Sequence, residues 1–130
     1  MRQRYSLLND GGLVVTTVSF EEFKKLDIRI AKVTKVEDHP NADKLYLIKA
    51  DVGEGPDGAT LEKTFVAGIK NFYSKEELIG KLLVIINNLE PVTIRGITSN
   101  AMLLAASDKN KKHIVILTSD KPIDAGSKVS

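Results

Sequence analysis

Three side chains able to grip a polyanion, Arg95, Ser99 and Asn100, stand between two apolar runs, Leu82–Ile86 and Met102–Ala106. A guanidinium pairs with phosphate or stacks on a base. A hydroxyl and an amide can donate to phosphate or to the 2′-hydroxyl that separates RNA from DNA. Each has an ordinary use as well: Arg95 can close an ion pair with Glu90, and Ser and Asn are common turn residues. The flanking runs have strand length and are too short to cross a membrane. The connection between them, residues 87–100, contains Pro91 and Gly96 and is lifted off the core, where binding residues tend to lie.

The other candidate groups are weaker. Arg29, Lys32 and Lys35 lie on a β-branched stretch and are either its wet side or the lining of a binding face. Lys109, Lys111 and Lys112 form a basic cluster at a predicted hairpin tip, which attracts any polyanion and specifies none. His39 and His113 are far apart, with no Cys and no ligand spacing, so neither a metal nor a cofactor is expected. The chain has no nucleophile-elbow serine, no phosphate-cradling glycine motif and no histidine pair on a helix, which argues against an enzyme. Of seven aromatic residues, Phe20, Phe23, Phe65 and Phe72 occupy positions suited to core or helix staples. Tyr46 and Tyr73 remain for base stacking, so shape and phosphate contacts would have to dominate any RNA affinity.

At 130 residues and 14.3 kDa the chain is one domain's worth. The absence of Cys excludes disulfides and fits a reducing compartment. Arg2 and Arg4 are not followed by an apolar h-region, so no secretory signal is read and the cytoplasm is expected. A net charge of +2 does not announce a nucleic-acid binder, but residues 81–130 carry seven Lys and Arg against four Asp and Glu.

Residues 1–17 show no sustained period, contain the turn signal Asn9-Asp10-Gly11-Gly12, and are expected to form a flexible N-terminal arm before a domain spanning 18–130. Ser19 and Glu22 make a capping box with Val18 and Phe23 as its staple, predicting a short helix that Phe23 and Leu26 fasten to the body. From Asp27 to Glu37 the apolar phase slips, from Ile28 and Ile30 to Ala31 and Val33 and back at Val36, as a β-bulge in a bent strand would require. His39-Pro40-Asn41-Ala42-Asp43 is a turn, built by the side chains of Asn41 and Asp43. Strands are expected over 45–52 and 64–69. Ser74, Glu77 and Gly80 then bound a helix of about two turns, and a further strand is expected over 113–118. Three strands, a helix and two strands is the order of an all-β, five-stranded OB-fold barrel with its short helix between strands three and four, here with a C-terminal extra strand. The one-to-two loop (residues 39–44) and the four-to-five loop (87–100) would line its ligand face.

Asp27-Ile28-Arg29-Ile30, His39-Pro40-Asn41-Ala42-Asp43-Lys44-Leu45-Tyr46, Asn88-Leu89-Glu90-Pro91 and Ile94-Arg95-Gly96, leading to Ser99 and Met102-Leu103-Leu104-Ala105-Ala106, occur in the order of a known domain. From about Phe20 onward the chain resembles the tRNA-binding domain found at the C-terminus of many methionyl-tRNA synthetases, in free-standing structure-specific tRNA-binding proteins and in endothelial monocyte-activating polypeptide II. The resemblance implies an OB-fold that binds tRNA by shape, assists an aminoacyl-tRNA synthetase, methionyl foremost, and often forms a homodimer when it stands alone. Two positions depart from the pattern: Ala101 replaces the usual Gly, and Glu90 stands where Lys is frequent. The candidate RNA-binding set is Arg29, Lys32, Lys35, Asn41, Lys44, Asn88, Arg95, Ser99, Asn100 and Met102. Two other readings stay open. One is a dimeric peptide-binding module related to the export-related chaperone of the same superfamily, and the other is an assembly domain that docks onto a synthetase.

Overall fold

The computed structural model describes residues 5–7 and 13–130. The Asn9–Gly12 turn lies outside the described residues, between β1 (Tyr5–Leu7) and β2 (Leu13–Val15), which pair antiparallel. After α1 (Phe20–Lys24) comes β3 (Ile28–Asp38), the strand that holds the sheet together. Its first half pairs with β6 (Leu82–Ile86) and its second half with β4 (Tyr46–Glu54). The register shifts between Val33 and Lys35, so the bulge read from the slipping apolar phase is present. It lets one strand serve two parts of a curved sheet. β5 (Thr60–Ala67) continues from β4, and β9 (Met102–Leu103) from β6.

The barrel closes where β8 (Ile97–Ser99) runs into β9. The Asn100 N–H donates to the Thr64 carbonyl at 3.0 Å, and the Val66 N–H donates to Ser99 Oγ at 3.0 Å, so the closing strand is stitched to β5. Inside lie Phe65, Ile48, Leu83, Ile85 and Val52, all fully buried. The plug is α2 (Lys75–Leu78), whose Leu78 is fully buried and contributes about 1.5–3 kcal/mol. Its reciprocal Ser74–Glu77 capping box is formed as expected, but the helix is one turn and not two. It stops early because Gly80 turns the chain with φ 80° and donates its N–H to the Val33 carbonyl, tying the helix exit to β3.

This is the expected OB-fold arrangement, with three departures. The four-to-five connection is not a plain loop but carries a hairpin, β7 (Val92–Ile94) with β8. The run 102–106 breaks at Leu104 into β9 and β10 (Ala105–Ser107), and β10 pairs with β11 (Ile114–Ile116). Phe23 does not anchor α1: that helix buries no residue, Phe20 is 70% exposed and Phe23 37%. Ser19 caps it by accepting from the Glu22 N–H, and Phe20 and Phe23 stack on each other at 6.4 Å. Phe72 is likewise exposed, leaving Phe65 as the core phenylalanine.

The C-terminus forms β12 (Lys128–Val129) against the start of β3. There Gly53 (φ 102°) and Gly126 (φ 91°) meet backbone to backbone, so closely that a Cβ on Gly126 would lie 2.6 Å from the Gly53 Cα. On the outer side of the barrel, Ile28, Ile30 and Lys32 stand opposite Ile86, Val84 and Leu82 and share their face. Met102, opposite Ile86, is 44% exposed, and Leu117, whose N–H donates to the Leu104 carbonyl, is 42% exposed. An apolar row therefore runs along β6 and β9 outside the core.

Candidate nucleic-acid interface

The one-to-two loop and the β7–β8 hairpin meet just past the end of β3. Ile94 pairs with Ile97, so Arg95 and Gly96 form a two-residue turn, and both have positive φ, 52° and 87°. That is the type I′ geometry that suits hairpin twist. Gly takes it freely, whereas for Arg the left-handed region costs about 1–3 kcal/mol and persists only where neighbours enforce it. The neighbours are His39 and Asn41. His39 is 4% exposed and accepts the Asn41 N–H on Nδ1 at 3.0 Å, so Nε2 carries the proton and donates to the Ile94 carbonyl at 3.0 Å. Asn41 Nδ2 donates to the Arg95 carbonyl at 3.0 Å. Asn41 thus holds the other loop rather than building its own turn.

The Arg95 side chain is exposed and makes no hydrogen bond or ion pair among the described residues, so the pairing with Glu90 is not formed. Lys44 is exposed on the same shallow depression, bounded by Asn41, Asp43 and Arg95. Asn41, Lys44 and Arg95 are therefore brought together by two loops far apart in sequence.

A second group lies on the outer face of β3 and β4. Lys32 and Lys35 are exposed, and Lys35 stands directly opposite Lys49, which was not singled out from the sequence. Its signal was alternation: Lys49 is the exposed residue between buried Ile48 and Ala50. Like charges face to face are unfavourable. Glu37 relieves part of this at 2.6 Å from the Lys35 ammonium, which holds the Glu37 carboxyl below its ordinary value and Lys35 above its own. Nearby Asp38 receives both Lys75, at 2.9 Å, and Lys70, at 3.1 Å, and these two ammonium groups hold its carboxyl below the usual range. One carboxylate between two cations leaves net positive charge.

Other predicted contacts are committed to the fold. Ser99 is 7% exposed, accepts from the Val66 N–H and donates to the Ala101 carbonyl at 3.2 Å, so its hydroxyl is not free for RNA. Asn88 uses both ends of its amide at the start of β3, donating to the Lys25 carbonyl and accepting from the Asp27 N–H. Arg29 pairs with Asp27 at 2.9 Å and donates to the Val52 carbonyl. That guanidinium, helped by the Asn87 amide, holds the Asp27 carboxyl below its ordinary value. The Asn100 side chain lines a separate groove with Leu61, Lys63 and Pro91. Met102 lies opposite Ile86, which faces Ile28, the first residue of β3, whereas Arg95 lies beyond Asp38, the last. Tyr46 is 4% exposed and donates to the Tyr73 carbonyl, and the Tyr73 hydroxyl accepts the Ile116 N–H. Both tyrosines brace the barrel, Tyr46 enclosed within it and Tyr73 half-buried with the Lys81 ammonium over its ring.

Residues 28–128 match the family model described as "Putative tRNA binding domain". Among curated proteins, the chain is 54% identical over 112 residues to the methionine–tRNA ligase of Nanoarchaeum equitans, covering 86% of this chain and 13% of that protein. It is 45% identical over 128 residues to the methionine–tRNA ligase of Pyrococcus furiosus, covering 98% and 17%. The chain thus spans less than a fifth of the length of these relatives. Among solved structures, the chaperone CsaA from Bacillus anthracis superposes with a TM-score of 0.77 at 28% identity, over 88% of this chain and 100% of that one. The MetRS-related protein from Pyrococcus horikoshii superposes with a TM-score of 0.77 at 26% identity, over 88% and 99%.

Proposed function

Because this chain belongs to the tRNA-binding domain family, we propose that it is a non-catalytic module that holds tRNA by shape and phosphate contacts and assists an aminoacyl-tRNA synthetase in the cytoplasm, most directly a methionyl one. The observation that carries this reading is Arg95: a strained backbone, clamped by His39 and Asn41, presents beside Lys44 a guanidinium with no partner among the described residues. Lys32, Lys35 and Lys49 extend the cationic surface. Holding the common outer body of tRNA raises its effective concentration at a partner synthetase without any chemistry on the RNA. A shift assay with total tRNA, a duplex DNA competitor and a salt series tests it. Binding that survives the DNA and falls steeply with salt supports the proposal; no binding to tRNA at low salt rejects it.

We further propose that the apolar row along β6 and β9 is covered by a second copy of the chain, giving a two-fold homodimer that offers two sets of loops to one RNA. The same row supports a second reading, a peptide-binding module. Capture of unfolded peptide into an apolar groove would be insensitive to salt, and the salt series separates the two.

A further inference from the structure

We propose that the tip of the β10–β11 hairpin is a second phosphate-binding element, in which Lys109, Lys111 and Lys112 grip the backbone of the same folded RNA that Arg95 contacts. This rests on the RNA-binding reading above. The first observation is direction. β9 runs antiparallel to β6, from Met102 opposite Ile86, and the Leu104 N–H donates to the Val84 carbonyl. The chain therefore climbs toward Leu82, which pairs with Lys32 farther along β3, so β9 hands over to the hairpin in the direction of Asp38 and away from Ile28.

The second observation is a rigid path between the two elements. Asp38 pairs with Tyr46, Tyr46 bonds the Tyr73 carbonyl at 2.8 Å, and the Tyr73 hydroxyl takes the Ile116 N–H at 3.0 Å. Ile116 pairs with Ala105 in the hairpin itself. Cations line this path: Lys70 and Lys75 share Asp38, and the Lys81 ammonium lies 5.7 Å from the centre of the Tyr73 ring.

The third observation is that the tip is built rather than loose. Asp108 accepts the His113 N–H at 3.1 Å, holds the His113 ring at 2.6 Å, and its carbonyl takes the Lys111 N–H at 3.0 Å. Lys111 is the other non-glycine residue with positive φ, at 54°, among the described residues. The three ammonium groups are exposed and form no ion pair among those residues. Carried on a hydrogen-bonded turn, without an ion pair among the described residues, and joined to the Asp38 end of β3 through Tyr73 and Tyr46, they suit the phosphates of an RNA large enough to reach both elements.

The test compares the full chain with K109Q/K111Q/K112Q and with K24Q/K25Q, which removes two cations near the start of β3, by titrating total tRNA across a salt series. The tip variant is expected to lose about two to three units of the salt slope, because each phosphate contact contributes about 0.7–0.9, while K24Q/K25Q stays at the parent slope. An unchanged slope in the tip variant, with the parent binding normally, overturns the second element and leaves the Arg95 reading standing. Equal loss per lysine in both variants also overturns it, since the effect is then bulk charge. A parent that fails to bind tRNA overturns both proposals together.

Discussion

Asn41 donates its side-chain amide to the main-chain carbonyl of Arg95, 54 residues away, at 3.0 Å. The bond runs to the backbone, so it fixes where the guanidinium starts without occupying it. Loop one-to-two thereby sets the aim of a side chain on loop four-to-five, and the two loops act as one surface.

Arg95→Ala should bind tRNA more weakly, with a salt slope shallower by up to about one unit. Its melting temperature should hardly move, because the side chain makes no hydrogen bond or ion pair among the described residues and Ala meets the same strained φ. A melting loss equal to that of a core variant would show that Arg95 is structural.

Asn41→Ala should cost about 0.5–1.5 kcal/mol of stability for the lost hydrogen bond and should also weaken tRNA binding. The informative measurement is the double variant with Arg95→Ala. If Asn41 acts by aiming Arg95, its effect on affinity shrinks in the Arg95→Ala background, whereas independent contacts would add.

Much of this was legible in the sequence, for reasons that particular residues illustrate. The slip from Val33 to Val36 is legible because burial alternates on a pleated strand, so two exposed residues between them mark the bulge, whereas Ile30 and Ala31 are both buried in unbroken register with β6 because both faces of the strand are covered there. The capping box at Ser74 is a local signal and was read correctly, while its length was set by a tertiary bond from Gly80 to Val33 that no local pattern contains. The fold-holding bonds of Ser99 and Asn88 are not legible because a hydroxyl or amide in a turn looks the same whether it faces water or repairs the backbone of a distant strand. Only the fold shows Val66 and Asp27 as their partners. The type I′ turn was present in Ile94-Arg95-Gly96-Ile97, two central residues between β-branched ones, but Arg is an unusual occupant of its first position and hid it.

Gly126→Ala should be strongly destabilising. The added Cβ would lie 2.6 Å from the Gly53 Cα, and neither backbone can give way without lifting the C-terminal segment off β3. Overpacking of this kind costs about 1–3 kcal/mol, with a further penalty for Ala at positive φ. Thermal melting should show a loss of several degrees, while Gly58→Ala, with nothing within 4 Å, should lose less. Equal losses would mean that φ alone decides.

Asp27 should make the fold acid-sensitive. Its folded carboxyl is held below the ordinary value by Arg29 and Asn87. The stability it contributes is therefore fully present above about pH 4 and is lost as pH falls through the lower folded value. Asp27→Asn should be less stable than the parent at pH 7, and the difference should narrow as pH falls below about 4 and through the lower folded value. A gap that stays constant with pH would remove ionisation from the account.

Met102 separates the two faces of the molecule. Its side chain sits on the apolar row with Ile86 and Leu104, away from Arg95, so Met102→Glu should leave the phosphate-contacting groups of each chain in place while putting a charge in the proposed dimer contact. The parent should sediment at about twice 14.3 kDa at tens of micromolar and Met102→Glu at the single mass. Because Met102 is 44% exposed, the variant should keep most of its melting temperature when monomeric. With one set of loops in place of two, its tRNA affinity should fall through lost avidity, and it should recover when two variant chains are joined by a flexible linker. A parent that sediments as a monomer rejects the dimer. A variant that remains dimeric moves the contact off β6 and β9, and with it the argument that this row is what a second copy covers.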